Sequence, residues 1–384
     1  MKSIFKGYFI AFIFLAAIQI NPVTAQQNLN IVTTAVPFLR ISPDARAGGM
    51  SDLGIATAPD VNAGFWNAAK IPFNTNNTAI GLNYSSWLKD LGLNDVYLAN
   101  LSFYHKLDDN QAITSNLRYF NLGNIQFTDF SGNTLSSYRP REFGIDLGYS
   151  LKLSDNFGMG VAVRYINSAL ASGDVNNSGV VYKAGSTVAG DVSMFYDGTD
   201  NNGRGLRWGL VFSNLGGKIG YTTDANAKDF IPANLGFGIS YTALVEANSK
   251  LTFGLDVNKL LVPIAPVATG NASTDSALLA DYRSMSVVSS WTKSFHDGSN
   301  QLSDMQFSLG GEFLYDNQFA VRAGYFYQDK SSGRNPYFSA GLGFKYQQVG
   351  VNFSYLIPSG SGVTRNPLSN TLRLGLTFDF DGAK

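Results

Sequence analysis

The sequence predicts an all-β protein, a fourteen-stranded antiparallel transmembrane β-barrel of the outer membrane with an N-terminal plug. Three observations predict it: an export signal with no later membrane helix, many segments that alternate apolar with small or polar residues, and a composition poor in charge but rich in glycine and aromatic residues. Of the 384 residues, 45% are hydrophobic, 13% aromatic and 15% charged. The charged share lies below the roughly 25% of soluble domains.

The chain opens MKSIFKGYFIAFIFLAAIQINPVTAQQ, with Lys2 and Lys6 ahead of an apolar run from Ile10 to Ile18 and a small-residue site at Val23-Thr24-Ala25. Residues 1–25 therefore read as a secretory signal peptide, too short and too cleavable to be an anchor. No later stretch offers the roughly 20 continuous apolar residues of a membrane helix. Cysteine is absent, which excludes lipoprotein processing, disulfides and a thiol nucleophile. The 28 basic residues balance the 28 acidic ones, so nucleic acid is not an expected partner.

Residues 26–78 come next and do not alternate. Their central stretch, PDARAGGMSDLGIATAPDVNAGFWNAAK at 43–70, is rich in Gly and Ala and ends on a Phe-Trp pair. Its place between signal and first strand suggests a plug on the periplasmic side, with Asp44, Arg46, Trp66 and Asn67 as anchors.

From residue 79 to 380 the alternation is regular. In REFGIDLGYSL, Phe143, Ile145, Leu147 and Tyr149 fall on one face and Gly144, Asp146, Gly148 and Ser150 on the other. Strands are expected at 79–88, 95–106, 111–121, 141–152, 157–168, 186–196, 205–214, 232–243, 249–258, 304–315, 318–328, 336–346, 349–357 and 371–380. Their lengths suit tilted membrane strands of about 9–11 residues, and Tyr, Trp and Phe flank the apolar rows as interfacial girdles do. In a fifteenth apolar segment, 285–295, Val287, Trp291 and Phe295 recur every four residues, which is a helical spacing. An even strand count with both termini periplasmic then leaves 259–303 as the largest of the long extracellular links, and links such as 108–110 and 315–317 as periplasmic turns.

A barrel this wide is not filled by side chains alone. The inward rows carry many glycines, which weaken strands unless another backbone comes close. They also carry both charge signs: Arg118, Arg164, Arg207, Arg322 and Arg373 with Asp146, Asp191, Asp256 and Glu312. Buried charges need partners, so ion pairs bracing strands and plug are expected, with a polar solute path as the alternative.

Signals for chemistry are weak. The two histidines, His105 and His296, fall at opposite ends of the predicted barrel, which disfavours a catalytic triad or a histidine metal site. DGTDNNGRG at 197–205 lacks the spaced acids and closing Glu of a calcium loop, and AGGMSDLG lacks the Gly-Lys-Ser/Thr of a phosphate loop. No cofactor, metal or catalytic residue is expected. Leu260, Leu261, Val262, Pro263 and Trp291 in the longest loop are candidates to meet partners, since exposed apolar loop residues are costly without one. The alternative is that this loop folds back over the barrel mouth.

The stretch AVPFLRISPDARAGGMSDLGIATAPDVNAGFWNAAKI at 35–71 resembles the N-terminal signature of the PorV family, a branch of the FadL-like fourteen-stranded barrels. GLDVNKLLVP at 254–263, LGGEFLYDNQFAVRAGYFYQ at 309–328 and FSYLIP at 353–358 are similar to the corresponding family segments. Ala68 departs from the family pattern, which has proline there. The resemblance implies an outer-membrane component of the type IX secretion system. Such a protein binds cargo with C-terminal signal domains at the translocon barrel and hands it to a surface attachment complex containing a sortase. The FadL-like branch implies the alternative, a channel for hydrophobic compounds.

Overall fold

The computed structural model describes residues 32–128, 131–174, 179–224, 226–246, 248–297, 304–329, 336–357, 368 and 370–380. The expected signal peptide, 1–25, lies outside them. Fourteen strands close a barrel: β1 Thr78–Ser86, β2 Val96–Lys106, β3 Gln111–Leu122, β4 Arg141–Lys152, β5 Phe157–Ala169, β6 Gly185–Thr199, β7 Gly205–Gly216, β8 Asn234–Glu246, β9 Ser249–Leu260, β10 Met305–Tyr315, β11 Phe319–Gln328, β12 Tyr337–Tyr346, β13 Val349–Ile357 and β14 Leu372–Phe380. Each strand pairs antiparallel with its neighbours in sequence, and β1 closes on β14 in register from Thr78↔Phe380 to Ser85↔Arg373.

The two-residue period sets which side chain meets lipid. In β4, Ile145, Leu147 and Tyr149 are exposed on the outer surface while Glu142, Asp146 and Ser150 are buried inside. Aromatic pairs ring both rims: Tyr84 stacks on Tyr97 at one end, with centroids 5.6 Å apart, and Phe319 meets Phe344 at the other, 5.0 Å apart. Aromatic girdles are typical of both interfaces of such barrels, and the tyrosines add a polar hydroxyl to an apolar ring. Short turns gather at one end, which is periplasmic in barrels of this kind; there Asp316 and Asn317 take left-handed φ values of 53° and 52°. The 197–205 stretch makes another of these turns. Asp200 accepts the backbone N–H of Asn202 and of Arg204, both at 2.9 Å, so its carboxylate serves the turn itself.

The helical spacing within 285–295 corresponds to a helix, Val287–Lys293, which follows a longer one at Ala272–Ser284 in the link between β9 and β10. Two single-turn helices, α1 Ala45–Gly48 and α2 Ala63–Trp66, precede the barrel, so the long-loop helices are α3 and α4.

The segment before β1 runs inside the barrel along its whole length. At the long-loop mouth Val32 packs on Phe230, Val262 and Tyr282, and the Ala35 N–H donates to the Phe230 carbonyl at 2.9 Å. At the opposite mouth Lys106 Nζ donates to the Asn74 carbonyl at 3.1 Å. Strand parity places the start of β1 and the end of β14 on the same side, but it does not place residues ahead of β1. The described chain therefore begins at the outer mouth, not at the periplasmic side where the sequence places both ends.

Two apolar collars grip the segment. Val36, Phe38 and Leu39 pack against Leu98, Phe120 and Ile166 near the outer mouth, and Val61, Ala63 and Ile71 against Ala79, Tyr104 and Ala112 near the inner one. Between the collars the wall is small and polar, and backbone meets backbone. A Cβ on Gly324 would stand 2.3 Å from the Met50 carbonyl carbon, and one on Gly160 would stand 2.8 Å from the Ala69 nitrogen. Glycine is therefore required at these two wall positions by the passing segment.

Candidate functional site

Two regions bring the charged and aromatic residues of the sequence together: the contact between the N-terminal segment and the lumen wall, and the cap of loops at the outer mouth.

Inside the barrel, Arg46 is the most connected side chain of the segment. Its Nε and Nη2 donate to the two oxygens of Glu312 at 3.0 and 2.9 Å, and its Nη1 donates to Asp60 at 2.9 Å and to the Ala58 carbonyl at 3.0 Å. Glu312 also accepts from Arg322 Nε at 2.6 Å, and Arg322 reaches Asn352 at 2.9 Å. This two-arginine, two-carboxylate cluster gives each buried charge the partner it needs. Arg373 pairs with Asp52 of the segment, so β14, the closing strand, is tied to it as well.

Asp44 has only neutral or backbone donors in contact: Arg46 N at 2.8 Å, Asn62 Nδ2 at 3.1 Å and Trp66 Nε1 at 3.0 Å. Burial, reinforced by the nearby Asp60 carboxylate, pushes its carboxyl up to about 6. Asn67 occupies the step at which the family pattern has proline next. Its Oδ1 accepts the Ala69 N–H at 3.1 Å and caps a 3₁₀ turn, Ala68–Phe73, while its Nδ2 donates to the Ile55 and Met194 carbonyls. The side-chain cap holds a turn that a proline φ angle would otherwise preset.

Asp256 of β9 accepts the N–H groups of Gly54 and Ile55 at 2.7 and 2.9 Å, while Lys70 Nζ donates to the Gly54 carbonyl at 2.6 Å. The Gly54 peptide is thus held from both sides. Burial lowers the Lys70 ammonium to about 8.

The remaining lumen charges form a band across β3 to β6. Arg118 pairs with Asp146 at 3.0 Å, Asp146 with Arg164 at 2.5 Å, and Arg164 with Asp191 at 2.8 Å. Asp191 sits at a register shift between β6 and β7, where it accepts the Asn214 N–H at 2.7 Å. Arg118 also donates to the Leu39 carbonyl at 3.1 Å and lies 5.2 Å from the Phe65 ring centre. Arg207 stands apart, paired with Asp197 at 3.1 Å near the inner mouth.

Each of the nine predicted lumen charges thus faces inward with a hydrogen-bonding partner. Sequence reasoning missed Asp52, Asp60 and Lys70. The signal for them was available, because these three with Asp44 and Arg46 are the only charged residues between 43 and 70.

At the outer mouth the long loop folds back. The Tyr282 ring meets Phe230 edge-on at 5.4 Å, its hydroxyl donates to the Pro263 carbonyl at 3.2 Å, and burial pushes that hydroxyl up to about 12. Arg283 pairs with Asp229 at 3.0 Å, and Lys218 Nζ donates to the Arg283 and Met285 carbonyls, both at 2.6 Å, satisfying the end of α3. The expected exposure of the loop candidates is corrected here. Leu261 and Val262 are each only 3% exposed and Pro263 is buried; Val262 packs with Tyr282 and Phe230, and the Pro263 carbonyl accepts the Tyr282 hydroxyl, while Leu260 and Trp291 are half-buried. The apolar side chains that do face solvent are Val267, Leu278, Leu279 and Val288.

His105 bonds Thr78 at the inner mouth, while His296 lies in the outer loop against the Thr292 carbonyl. Among the described residues no group of three or more His, Asp or Glu side chains is placed to hold a metal.

Comparison with known proteins agrees with this architecture. The family model of type IX secretion system protein PorV matches residues 24–267. No curated protein sequence matches. Among solved structures, the Ralstonia pickettii toluene transporter TbuX superposes with a TM-score of 0.52 at 12% identity, covering 88% of this chain and 98% of its own. The monoaromatic hydrocarbon channel CymD gives 0.53 at 14% identity over 87% and 97%. The Pseudomonas putida toluene transporter TodX gives 0.51 at 12% identity over 88% and 98%. At these identities the likeness is one of fold.

Proposed function

Because this chain belongs to the family of the type IX secretion system protein PorV, we propose that it is the outer-membrane carrier that binds secreted cargo by its C-terminal signal domain at the translocon. It then passes the cargo to the surface complex that attaches it through a sortase. The protein is an outer-membrane β-barrel. In this reading the barrel is an anchor, the N-terminal segment is a plug held by Asp44, Arg46, Trp66 and Asn67, and the loops at the cell surface do the work.

The observation that carries the reading is the combination of a filled lumen with a built outer platform. The segment packs into the wall from Val36 to Ile71, whereas α3 projects from the outer mouth with Leu278 and Leu279 exposed. The helix is capped at its start by Asn271, which accepts the N–H groups of Ser273 and Thr274, and is anchored at its end by Tyr282 and Arg283. Apolar side chains displayed on a separately capped helix suit a protein partner better than a solute. No enzymatic step is needed for this role.

Deletion of the gene tests it. Proteins with type IX signal domains should accumulate short of the surface, and a chain with Leu278→Ser, Leu279→Ser and Val288→Ser should restore the barrel but not the export. Normal surface delivery in the deletion strain, with loss of uptake of a hydrophobic nutrient, would support the second reading, a channel for hydrophobic compounds. That reading draws on the fold shared with hydrocarbon channels, but the polar middle of the lumen suits it poorly.

A further inference from the structure

Two sizeable cavities border the segment. The inner one, about 510 Å³, lies between Asp60 and the turn at Asn317, and its arginines, Arg46, Arg207 and Arg322, all have carboxylate partners. The outer one, about 300 Å³, lies between the start of the segment, the end of β9 and the stretch after α4. One of its cations is not so served.

Lys259, at the outer end of β9, is 5% exposed. Its nearest carboxylate, Asp304, stands 3.8 Å from Nζ, the Phe295 ring centre stands 5.5 Å away, and among the described residues no hydrogen bond reaches the ammonium. A buried ammonium left so is costly, and an acceptor brought into the cavity relieves the cost. The other cation, Arg40, donates to Gln306 at 2.5 Å, and Asp297 accepts the Ile264 N–H at 2.6 Å. Arg40 and Lys259 balance Asp297 and Asp304 around the cavity, which suits one carboxylate on a neutral body better than a polyanion.

The segment supplies a second element of recognition. Residues 32–34 lie in neither helix nor strand, and among the described residues their backbone N–H and C=O groups have no hydrogen-bond partner. All three line the cavity, whose apolar walls are Pro37, Val262 and Ile264. Thr33 and Pro37 are exposed, so the cavity opens at the cell surface. Unpaired backbone offers main-chain bonds to an extended peptide, and the buried cation offers a seat for its terminal carboxylate. The volume is at the lower end of the roughly 300–1,000 Å³ of ligand sites, which admits a chain end but not a folded domain.

We propose that this cavity captures the free C-terminal carboxylate of an extended peptide, the last residues of the cargo's signal domain. Lys259 meets the carboxylate, the backbone of residues 32–34 pairs with the peptide, and Pro37, Val262 and Ile264 take the terminal side chain. A fatty acid carries the same carboxylate on an apolar tail, but it would leave that backbone unpaired. The proposal rests on the secretion reading and adds to it where the cargo is held.

The test titrates the full mature barrel in nanodiscs with a cargo signal domain, with a synthetic peptide of that domain's last residues, with the same peptide as its C-terminal amide, and with laurate. The domain and the free-acid peptide should bind, and the amide should bind about tenfold more weakly or worse, since a charge-assisted bond is lost. Lys259→Gln should weaken the acid by the same factor and leave the amide unchanged, and Lys259→Arg should restore the difference. The acid and amide are compared on wild type, so the result does not depend on the folding of a variant. Equal binding of acid and amide would overturn the site while leaving the carrier reading in place, provided the domain binds. A domain that fails to bind would overturn both. Laurate binding that needs Lys259, with no binding of the peptide, would give the cavity to a fatty acid and overturn the proposal.

Discussion

Replacing Arg46 by alanine should loosen the N-terminal segment without unmaking the barrel. The guanidinium makes two hydrogen bonds to Glu312, one to Asp60 and one to the Ala58 carbonyl. Charge-assisted bonds contribute on the order of 1.5–3 kcal/mol each, but two features reduce the loss. Glu312 keeps Arg322 at 2.6 Å, and the inner cavity of about 510 Å³ lets water reach Asp60, whose side chain is 23% exposed. The cost should therefore fall near the lower end of that for breaking a buried ion pair, about 3 kcal/mol.

At 1.4 kcal/mol per tenfold, that speeds amide exchange across residues 44–60 by on the order of a hundredfold. Exchange in β4 and β5, whose arginines and aspartates pair with one another, should stay unchanged. A double cycle with Glu312→Gln should show coupling between the two positions. A loss under about 1 kcal/mol, the value of a surface ion pair, would refute the idea that this cluster latches the segment.

Three further outcomes follow from the same geometry. Asp44 has a folded-state value of about 6, above its ordinary 3.8, so the stability it contributes is complete below pH 3.8 and is lost as pH rises through 6. Segment protection in wild type should fall between pH 4 and pH 7 relative to Asp44→Asn, by at most about 3 kcal/mol; parallel pH profiles would show that Asp44 is not so buried. Gly324→Ala puts a methyl against the Met50 carbonyl carbon and should lower the unfolding free energy of the refolded barrel, measured in urea, by about 1–3 kcal/mol, whereas a neutral result would mean that the segment shifts freely. Ser273→Cys, exposed at the start of α3, should be labelled by an impermeant maleimide on intact cells and Asn317→Cys should not; the reverse pattern would invert the barrel.

The barrel itself was legible in the sequence for a local reason. A two-residue period sends each side chain to lipid or lumen regardless of what fills the lumen, so the alternation of Phe143 to Leu151 was enough to place both faces of β4. Strand bounds were legible too, since Gly, Asn and Asp mark the turns, and the four-residue spacing of Val287 and Trp291 separated α4 from the strands. The inward position of all nine lumen charges follows from the same period.

What each charge meets did not follow, because partners lie far apart in the chain: Arg46 and Glu312 are separated by 266 positions, and only the path of the segment through the lumen joins them. The same path puts Val32 at the outer mouth, which strand parity could not reveal because parity counts crossings of the wall and not what is threaded inside it. Burial of Val262 and Pro263 was equally out of reach, since it depends on Phe230 and Tyr282 arriving from two other parts of the chain. The sequence by itself determined a closed, glycine-walled barrel that something must fill. The tertiary structure decided how the segment lies in it, which ion pairs fasten it, and which wall glycines its backbone meets, because those depend on contacts between residues that no local pattern connects.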